Sequence, residues 1–573
     1  MSSEEGYESE HVDVLVIGAG GAGMRAAIAA YDAGSSVMLL SKSVLGKAHT
    51  VMAEGGIAAS VANVDSKDNW QTHFKDTYVE GGDISNWRMA EILAKEAPER
   101  VYELESFGAL FDRTPEGRIM QRAFGGHTYR RLCHVGDKTG LELMRTLEDQ
   151  VLHRDIKVMD EFYVTKLFTR NDGSVSGIVG IKMSTGKFSA INAKAVVIAT
   201  GGCGRVYRVT SNSWESTGDG IGLAYGAGAE LMDMEMIQFH PTGMVYPQGV
   251  EGVLVTEGVR GEGGVLLNAK GERFMLRYSP TRKELDTRDV VARAIYSEIQ
   301  AGNGTKHGGV YLDISHKGKD FIMRKLPAMY SQFLKFANVD ITRQKMEVAP
   351  TVHYQMGGIR VNPESGASNV RGLFAAGECT SGLHGANRLG GNSLADILVF
   401  GKRAGEAAAS YSKVAGAQEM RGAQCDAEIA RVASYLKEGT NPYALINRLR
   451  DTMSMHVGIM RNEKDLSTAL DDITDMKNKY STIGASGGLA YNKGLLACLE
   501  LGNMLVACEA IVRAALMRKE SRGAHARTDY KERSEEWHVN IVCSEANGSM
   551  ALATSPVPEL PEELAEIVNK VQG

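Results

Sequence analysis

Apolar and polar positions near the N-terminus alternate in blocks that predict a strand, a helix and a second strand. Residues 12–20 read VDVLVIGAG, a continuous apolar run ending in glycine, which is typical of a buried parallel strand. An alanine-rich helix follows in GAGMRAAIAAYDAG, with Gly34 marking its end, and SSVMLLS has the composition of a second strand. The pattern therefore predicts one βαβ unit at the start of the chain.

The first turn of this unit carries Gly18, Gly20 and Gly23 in a GxGxxG pattern. Glycines there allow a tight turn and let a pyrophosphate approach the helix N-terminus, whose free N–H groups and dipole favour anions. NAD-binding proteins place an acidic residue at the end of the second strand, and here Ser41 and Lys42 stand in its place. The fingerprint predicts a dinucleotide site, and the missing acid favours FAD over NAD.

Later strand-to-glycine junctions indicate that the dinucleotide fold is split along the chain. AKAVVIATGGCGRVY (193–207) and NVRGLFAAGECTSG (369–382) both have this form, and the second contains Glu378. STGDGIGLAYGAGAE (216–230) places Asp219 in front of a helix. The intervening segment is rich in turns and charge, so we expect it to form an inserted cap over the flavin.

The predicted fold class is α/β, with a split Rossmann-like FAD-binding domain, an inserted α+β capping domain and a C-terminal helical domain. The expected boundaries are 10–235 and 353–425 for the two parts of the FAD-binding domain, 236–352 for the capping domain, 426–545 for the helical domain and 546–573 for a tail. The tail combines prolines with a short amphipathic helix.

Composition narrows the function. A net charge of −6 over 573 residues gives no electrostatic footprint for nucleic acid. The seven cysteines contain no CxxC pair, which argues against zinc, iron–sulfur ligation or a disulfide framework within this chain and favours a reducing, cytoplasmic setting. We find no apolar run approaching the ~18 residues of a membrane span and no secretory signal, so we expect membrane association only through a partner.

Cationic and hydrogen-bonding residues cluster in and around the predicted insert. They lie in glycine-rich turns, and they are His240, Thr256, Glu257, Arg260, Arg288, His353 and Arg388. Any one of them alone is typical of a surface arginine or a satisfied core histidine. Together, beside a flavin site, they suit a small dianionic substrate, because arginine binds a carboxylate through paired charge-assisted hydrogen bonds that lysine cannot reproduce.

Over roughly residues 10–545 the sequence resembles the flavoprotein subunits of succinate dehydrogenase and fumarate reductase. The resemblance rests on motifs that occur in the family's order: GAGGAG, HTVMAEGGIAA, QFHPTG, TEGVRGEGG, RDVVAR, HYQMGG, HGANRLGGNSL and ESRGAHARTDY. It implies oxidation of succinate to fumarate by hydride transfer to FAD. It also implies an iron–sulfur partner subunit, membrane anchor subunits that pass electrons to quinone, and a peripheral position at the cytoplasmic face of the cell membrane.

The resemblance also assigns roles to individual residues. It implies that His49 is bonded covalently to the flavin, that His240, Thr256, His353 and Arg388 hold the substrate carboxylates, and that Arg288 transfers the proton, with Glu257 and Arg260 as its relay. The positions matched to flavin binding are Gly18, Gly20, Gly23, Ser41, Lys42, His49, Gly55, Gly56, Asp219, Glu378, Ser393 and Leu394. No metal site is implied.

Three alternatives stay open at this point. The same residues serve fumarate reduction in the reverse direction, and Glu54, where many succinate dehydrogenases have Gln, favours a low-potential quinone or reversibility. L-Aspartate oxidase shares the fold and the carboxylate clamp but lacks the histidine at position 49. A flavin-bearing interaction subunit without catalysis is the third alternative. The segment 520–537 is either a solvated loop or, by resemblance, close to the docking surface for the iron–sulfur partner.

Overall fold

A computed structural model describes residues 7–416 and 419–570 of the chain. Residues 417–418, near the end of the expected second FAD-binding part, and 571–573, at the end of the expected tail, lie outside the described residues. The elements up to residue 267 are β1 (Glu8–Ile17), α1 (Gly21–Asp32), β2 (Val37–Leu40), β3 (Ile57–Ala58), α2 (Trp70–Glu80), α3 (Trp87–Ser106), β4 (Gln121–Arg122), β5 (Leu132–Cys133), α4 (Thr139–His153), β6 (Lys157–Met159), β7 (Phe162–Thr169), β8 (Val175–Lys182), β9 (Lys187–Ile198), α5 (Asp219–Gly226), β10 (Leu231–Met232), β11 (Ile237–Met244), α6 (Gly258–Gly261) and β12 (Val265–Leu267).

The remaining elements begin within the inserted segment and continue to the C-terminal helix. They are α7 (Met275–Tyr278), α8 (Arg288–Glu298), β13 (Val310–Asp313), α9 (Lys319–Lys325), α10 (Pro327–Ala337), β14 (Met346–Gln355), β15 (Gly358–Ile359), β16 (Leu373–Ala375), α11 (Asn392–Val414), α12 (Gly422–Ala433), α13 (Pro442–His456), β17 (Met460–Arg461), α14 (Glu463–Lys479), α15 (Lys493–Met517), β18 (Ala526–Arg527), β19 (Val539–Ala546), β20 (Ser549–Pro556) and α16 (Glu562–Asn569).

The central sheet has seven strands, in the order β6-β2-β1-β9-β8-β7, with β16 pairing to β9. The pairs β1–β2, β1–β9 and β9–β16 are parallel, so Leu373 lies beside Val196 although 177 residues separate them in the chain. These strands are apolar on both faces because helices cover both sides of the sheet. The split Rossmann-like architecture predicted from the sequence is confirmed.

The first βα turn fits the expected dinucleotide geometry. Gly18 has a φ of +109°, and a Cβ on it would collide with the carbonyl oxygen of Ala199 at the end of β9. A Cβ on Gly23 would collide with the carbonyl oxygen of Gly18. These two glycines therefore let α1 and β9 approach the turn closely, as the motif predicts.

The inserted segment has its own four-stranded sheet, in the order β11-β14-β13-β12, with α8, α9 and α10 packed around it. Its core is an independent apolar cluster that includes Val291, Leu312 and Phe333. The insert is joined to the FAD-binding part through its two long strands, β11 and β14. These strands pair antiparallel, so the chain enters and leaves the insert at the same place. Residues from the insert therefore reach the edge of the flavin site.

The expected boundary at residue 546 is wrong. Strands β19 and β20 form one hairpin, with Val539 opposite Pro556 and Ala546 opposite Ser549, so the boundary divides a hairpin at its turn. The turn residues Asn547 and Gly548 both have positive φ, and Asn-Gly is the usual signal for such a turn. The following helix α16 does not project as a free tail, because its Leu564 packs with Phe74 of α2.

The expectation that no segment resembles a membrane span is also wrong as a statement about composition. Helix α15 is 25 residues long and contains an 18-residue window with a mean hydropathy of 1.8. In the structure 72% of that window is buried, because α15 packs among α5, α13 and α14. Its apolar character on all sides is that of a core helix.

Immediately after α15, Arg518 joins the C-terminal segment to the strand region before β11. Its guanidinium lies 2.6 Å from Glu235 and 3.0 Å from Glu520, and all three side chains are fully buried. Burial alone would lower the pKa of Arg518, but the neighbouring carboxylates raise it. The arginine therefore neutralises acids that have no water to solvate them.

We predict that Arg518→Leu destabilises the protein by about 3–5 kcal/mol, because it leaves buried carboxylates unpaired. Arg513→Leu is the matched control, since Arg513 is partly exposed and pairs with Glu509 within α15. Its loss is expected to cost no more than about 1 kcal/mol. Thermal unfolding followed by intrinsic fluorescence compares the two variants, and equal midpoints would contradict the role given to Arg518.

Candidate functional site

A cavity of about 210 Å³ extends from the first βα turn to the edge of the inserted segment. Most of the residues predicted from the sequence line it: Gly18, Gly20, Ser41, Lys42, His49, Gly55, Gly56, Asp219, His240, Thr256, Glu257, Arg288, His353, Glu378, Arg388, Ser393 and Leu394. Gly23 and Arg260 lie behind the wall. The cavity therefore brings cofactor and substrate candidates together in one continuous site.

At the end of β2, Lys42 joins three parts of the chain. Its Nζ lies 2.7 Å from Asp219 at the start of α5 and also pairs with Glu500 of α15. Tyr163 donates a hydrogen bond to the other oxygen of Asp219 at 2.8 Å. Burial would lower the pKa of Lys42, but the two carboxylates raise it. The basic residue found where NAD proteins carry an acid thus holds Asp219 in place and couples it to the C-terminal domain.

His49 begins a single 3₁₀ turn (His49–Met52), and both of its ring nitrogens face hydrogen-bond donors. The backbone N–H of Ser213 donates to Nδ1 at 3.1 Å, and the side-chain nitrogen of Asn212 lies 3.0 Å from Nε2. Burial lowers the pKa of His49 to about 4, so the ring is neutral. Because a backbone N–H only donates, Nδ1 accepts this hydrogen bond and keeps its lone pair, which leaves Nε2 as the ring nitrogen available to carry a covalent substituent.

The residues around the cofactor end fit FAD. Ser213 Oγ and Glu215 Oε2 belong to cavity-lining residues, are buried, and have no hydrogen-bond partner within the described ranges, as expected where a polar ligand supplies the partner. A Cβ on Gly20 would meet its nearest neighbour only at 3.5 Å, so the turn is open on the cavity side. Burial raises the pKa of Glu378 to about 7, and this carboxyl accepts a hydrogen bond from the backbone of Gln355.

At the other end of the cavity two arginines share one amide. Arg288, the first residue of α8, donates to Gln238 Oε1 at 3.0 Å, and Arg388 donates to the same oxygen at 3.1 Å. The nitrogen of Gln238 donates to Asn387 and to the carbonyl of Arg388, both at 2.8 Å, which fixes the orientation of the amide. Arg388 also donates to Ser393, at the start of α11, at 3.0 Å.

Glu257 lies directly behind Arg288, whose Nε donates to it at 2.9 Å. Burial would raise the pKa of Glu257, but Arg288 and Arg260 together lower it to about 2. Arg260 lies 3.6 Å from the same carboxylate oxygen and is itself 1% exposed. The three residues predicted to form a relay are therefore brought together, in the order Arg288, Glu257 and Arg260.

Two histidines face the arginines from paired strands of the insert. His240 on β11 and His353 on β14 have ring centroids 5.1 Å apart. Burial, followed by the charge of Arg288, lowers the pKa of His240 well below its ordinary value, and burial together with His240 does the same for His353. Ser211 lies within hydrogen-bond distance of His353 Nδ1, at 2.8 Å. Both rings are therefore neutral hydrogen-bonding groups.

The substrate end carries a positive charge. Arg260, Arg288 and Arg388 contribute three guanidinium groups, against the single carboxylate of Glu257. Burial, together with the charge of Arg288, lowers the pKa of Arg388 to about 9, which shows how strongly the site disfavours this concentration of charge. A dianion would compensate it.

Sequence reasoning missed several residues that organise the site. Gln238 lies two positions before His240 in QFHPTG, and the two-residue period of a strand was a signal for placing both on one face. Asn387, Ser211 and Asn212 carry no comparable signal, because their contacts join segments more than 140 residues apart. No signal in the sequence distinguishes Glu500 from other acidic residues on an apolar helix.

Comparison with known proteins supports this description. Residues 13–394 match the family model described as FAD binding domain, and residues 446–564 match fumarate reductase flavoprotein C-term. The chain is 47% identical to one of the subunits of the fumarate reductase (CoM/CoB) of Methanothermobacter marburgensis, over 92% of this chain and 96% of that protein. It is 40% identical to the succinate dehydrogenase flavoprotein subunit of Coxiella burnetii, over 91% of this chain and 92% of the relative.

A solved structure extends the likeness to the fold. The Mycobacterium smegmatis Sdh1 in complex with UQ1 contains a chain with 48% identity and a TM-score of 0.87, covering 96% of this chain and 95% of that one. Sequence and fold therefore agree along nearly the whole length. The chain belongs to the family of flavoprotein subunits of succinate dehydrogenases and fumarate reductases.

Proposed function

We propose that this chain interconverts succinate and fumarate at the cavity end formed by Arg288, Arg388, His240 and His353. The observation that carries the proposal is the pair of buried guanidinium groups bridged by Gln238 and facing the same cavity as the flavin-binding residues. A dicarboxylate supplies the two negative charges that this end lacks. Its two carboxylates also match the two sets of donors, arginines and histidines, that line this cavity.

The clamp orients the substrate through charge-assisted hydrogen bonds. Arg388 binds one carboxylate, with its guanidinium stacked 4.3 Å from the ring of Tyr354. His240, Thr256 and His353 bind through neutral donors. Fixing both ends of a four-carbon chain places its central C–C bond at one position between flavin and base, which lowers the entropic part of the barrier.

Arg288 takes up the proton in oxidation and returns it in reduction. An ordinary arginine is a poor base, because its pKa lies above ~12. Here the carboxylate of Glu257 is 2.9 Å from its Nε, so a proton arriving on the guanidinium is matched by one leaving toward Glu257. The group never needs a long-lived neutral form.

FAD fits the cofactor end, and when bound it accepts or supplies the hydride. We propose that it is attached covalently through His49. The Ser213 N–H occupies Nδ1, so the bond is expected at Nε2. The residues that would hold the rest of the cofactor are the first βα turn, Ser41–Lys42, Asp219, Glu378 and the first turn of α11.

Electrons leave through partners that this chain does not contain. We propose an iron–sulfur subunit and, through it, membrane anchor subunits and a quinone, at the cytoplasmic face of the cell membrane. The M. smegmatis relative was solved with UQ1, which favours a quinone. The M. marburgensis relative is named for CoM and CoB, so a thiol donor for fumarate reduction is the second candidate.

The segment 520–537 supports a structured docking surface. Glu520, Arg522 and Arg527 are buried, while Lys531 and Arg533 are exposed beside the acids Asp529, Glu532, Glu535 and Glu536, so a fixed internal network presents a surface that carries both signs of charge. The site does not by itself determine whether the chain oxidises succinate or reduces fumarate in the cell. Burial raises the pKa of Glu54 well above its ordinary value, which favours an uncharged carboxyl similar in charge to the Gln of many succinate dehydrogenases.

Arg288→Lys is expected to keep its flavin but lose nearly all turnover in both directions, because an ammonium cannot reproduce the guanidinium geometry between Gln238 and Glu257. Succinate-dependent dye reduction and fumarate-dependent oxidation of reduced dye measure both directions. Arg282→Lys, at an exposed position, serves as the control. Turnover of Arg288→Lys within about tenfold of the wild type would remove Arg288 from proton transfer.

Arg388→Ala is expected to weaken the binding of malonate by about 2–5 kcal/mol, because one carboxylate of a desolvated dianion loses its partner. Malonate has no C–C bond to oxidise, so its inhibition constant reports binding alone. Arg360→Ala, which removes a partly exposed arginine paired with Glu230, is the control. Equal inhibition of wild type and Arg388→Ala would place the substrate elsewhere.

Acid-precipitated, SDS-denatured wild type is expected to keep yellow, fluorescent flavin on the polypeptide, whereas His49→Ser binds FAD but releases it on denaturation. Loss of the bond lowers the flavin potential, so the variant should oxidise succinate poorly while still reducing fumarate. His153→Ser, at an exposed position, should behave as wild type. Wild type that sheds all its flavin after full loading with its partners would argue against covalent attachment and return L-aspartate oxidase to consideration.

A further inference from the structure

A second cavity, of about 690 Å³, lies beside the substrate end of the flavin cavity. Its walls come from α2, from residues 282–293 and from the segment 521–533. Asp289 and Asn387, which adjoin Arg288 and Arg388 in the chain, form part of the inner wall, while Arg282 and Lys531 at the outer wall are exposed. Solvent therefore reaches residues next to both arginines without passing through the flavin cavity.

Glu80, the last residue of α2, lies at the inner wall of this second cavity. Its Oε1 accepts a hydrogen bond from the side-chain nitrogen of Asn387 at 2.6 Å, and the same nitrogen donates to Asp289 at 2.9 Å. Within residues 7–416 and 419–570, no basic side chain lies within 4.0 Å of its carboxyl group. It is an unpaired acid at the point where solvent meets the site.

Glu80 and the relay residue Glu257 both lie close to the consecutive glycines Gly125 and Gly126. The N–H of Gly125 donates to Glu257 at 2.7 Å, and a Cβ on the next residue, Gly126, would lie 3.2 Å from Glu80 Oε2. Each carboxyl group thus lies against one of two consecutive residues that have no side chains. The proximity is also seen in the electrostatics, because the charge of Glu257 raises the pKa of Glu80.

The charges around Glu80 suit an acid that exchanges protons. Burial, followed by Asp289 and Glu257, raises its pKa well above the ordinary value, and the opposing effects of Arg288 and Arg282 do not offset this. The other charged groups lining the cavity are engaged elsewhere or exposed: Lys75, Asp76, Arg293, Arg522, Arg527 and Arg533 have other partners, and Lys531 is exposed. A carboxyl with a raised pKa changes protonation closer to neutral pH.

Arg260, the other relay residue beside Glu257, ends at a group that cannot take up a proton. Arg260 is 1% exposed, and its Nη1 donates to the backbone carbonyl of Glu284. A carbonyl oxygen does not take up a proton under these conditions. Glu80, by contrast, is titratable and opens onto solvent.

We propose that Glu80 is the outer residue of the proton relay and exchanges protons between Glu257 and the solvent of the second cavity. The proposal rests on the proposed succinate–fumarate chemistry. For each succinate oxidised, FAD held at the cofactor end would accept one hydrogen as a hydride. The other leaves as a proton that passes from Arg288 to Glu257, by way of water to the Glu80 carboxylate, and from Glu80 to bulk water. Fumarate reduction runs the same transfers backward.

Glu80→Gln in the holoenzyme with its partners tests this relay, because glutamine still accepts the hydrogen bond from Asn387 but exchanges no proton. We expect kcat to fall about tenfold or more in both directions with KM nearly unchanged, and the solvent deuterium isotope effect on kcat to rise. In wild type, kcat for succinate oxidation should rise with pH as Glu80 ionises, since the carboxylate is the acceptor. Fumarate reduction should show the opposite slope, and Glu80→Gln should lose both.

Lys75→Gln is the matched control, because Lys75 lies on the same helix and lines the same cavity. It should leave kcat, the pH profile and the isotope effect unchanged. Glu80→Ala should be rescued by added imidazole in proportion to its concentration, which a structural role would not allow.

Wild-type kcat, pH profile and isotope effect in Glu80→Gln would overturn the proposal. So would a raised KM with unchanged kcat, because Glu80 would then act on the clamp through Asn387. A wild type without succinate or fumarate turnover would instead defeat the proposed function itself, so the two failures are distinguishable.

Discussion

The site depends on burying two guanidinium groups side by side. Arg288 and Arg388 repel each other in a region without bulk water, and such a pair persists only when nearby groups absorb the charge. The carboxylate of Glu257 compensates Arg288, the ring of Tyr354 lies against Arg388, and the oxygen of Gln238 accepts from both. Because Gln238 is neutral, it joins the arginines without cancelling the charge that a dicarboxylate needs.

This arrangement also determines how cofactor and substrate are placed relative to each other. Ser393 accepts a hydrogen bond from Arg388 and lies in the first turn of the helix α11, which lines the cofactor part of the cavity. Asn212 lies between His49 and the backbone of His353, so it connects the proposed flavin tether to one of the two histidines proposed to bind substrate. The neighbouring residues add to this connection, since Ser211 contacts the ring of His353 and the Ser213 N–H donates to His49.

The parts that could be predicted from the sequence have local causes. The glycines of the first turn, the apolar strand before them and the family motifs each specify their geometry within a few residues. The bridging by Gln238, the pairing of Lys42 with Glu500 and the position of Asn387 depend on contacts between distant segments, which no local pattern encodes. Helix α15 was misjudged for the converse reason, since a helix buried on all sides and a membrane span share one composition.

The division of the central sheet has a consequence for how the protein is made. The strand β16 and helix α11 complete the cofactor cavity, and they follow the first βα turn by more than 350 residues. At elongation rates of roughly 5–20 residues per second, the nascent chain spends about 20–80 s with its dinucleotide turn formed but its cavity open on one side. During that interval the chain has nothing to enclose the nucleotide, so cofactor acquisition is a late event, belonging to the finished polypeptide rather than to its emerging N-terminal half.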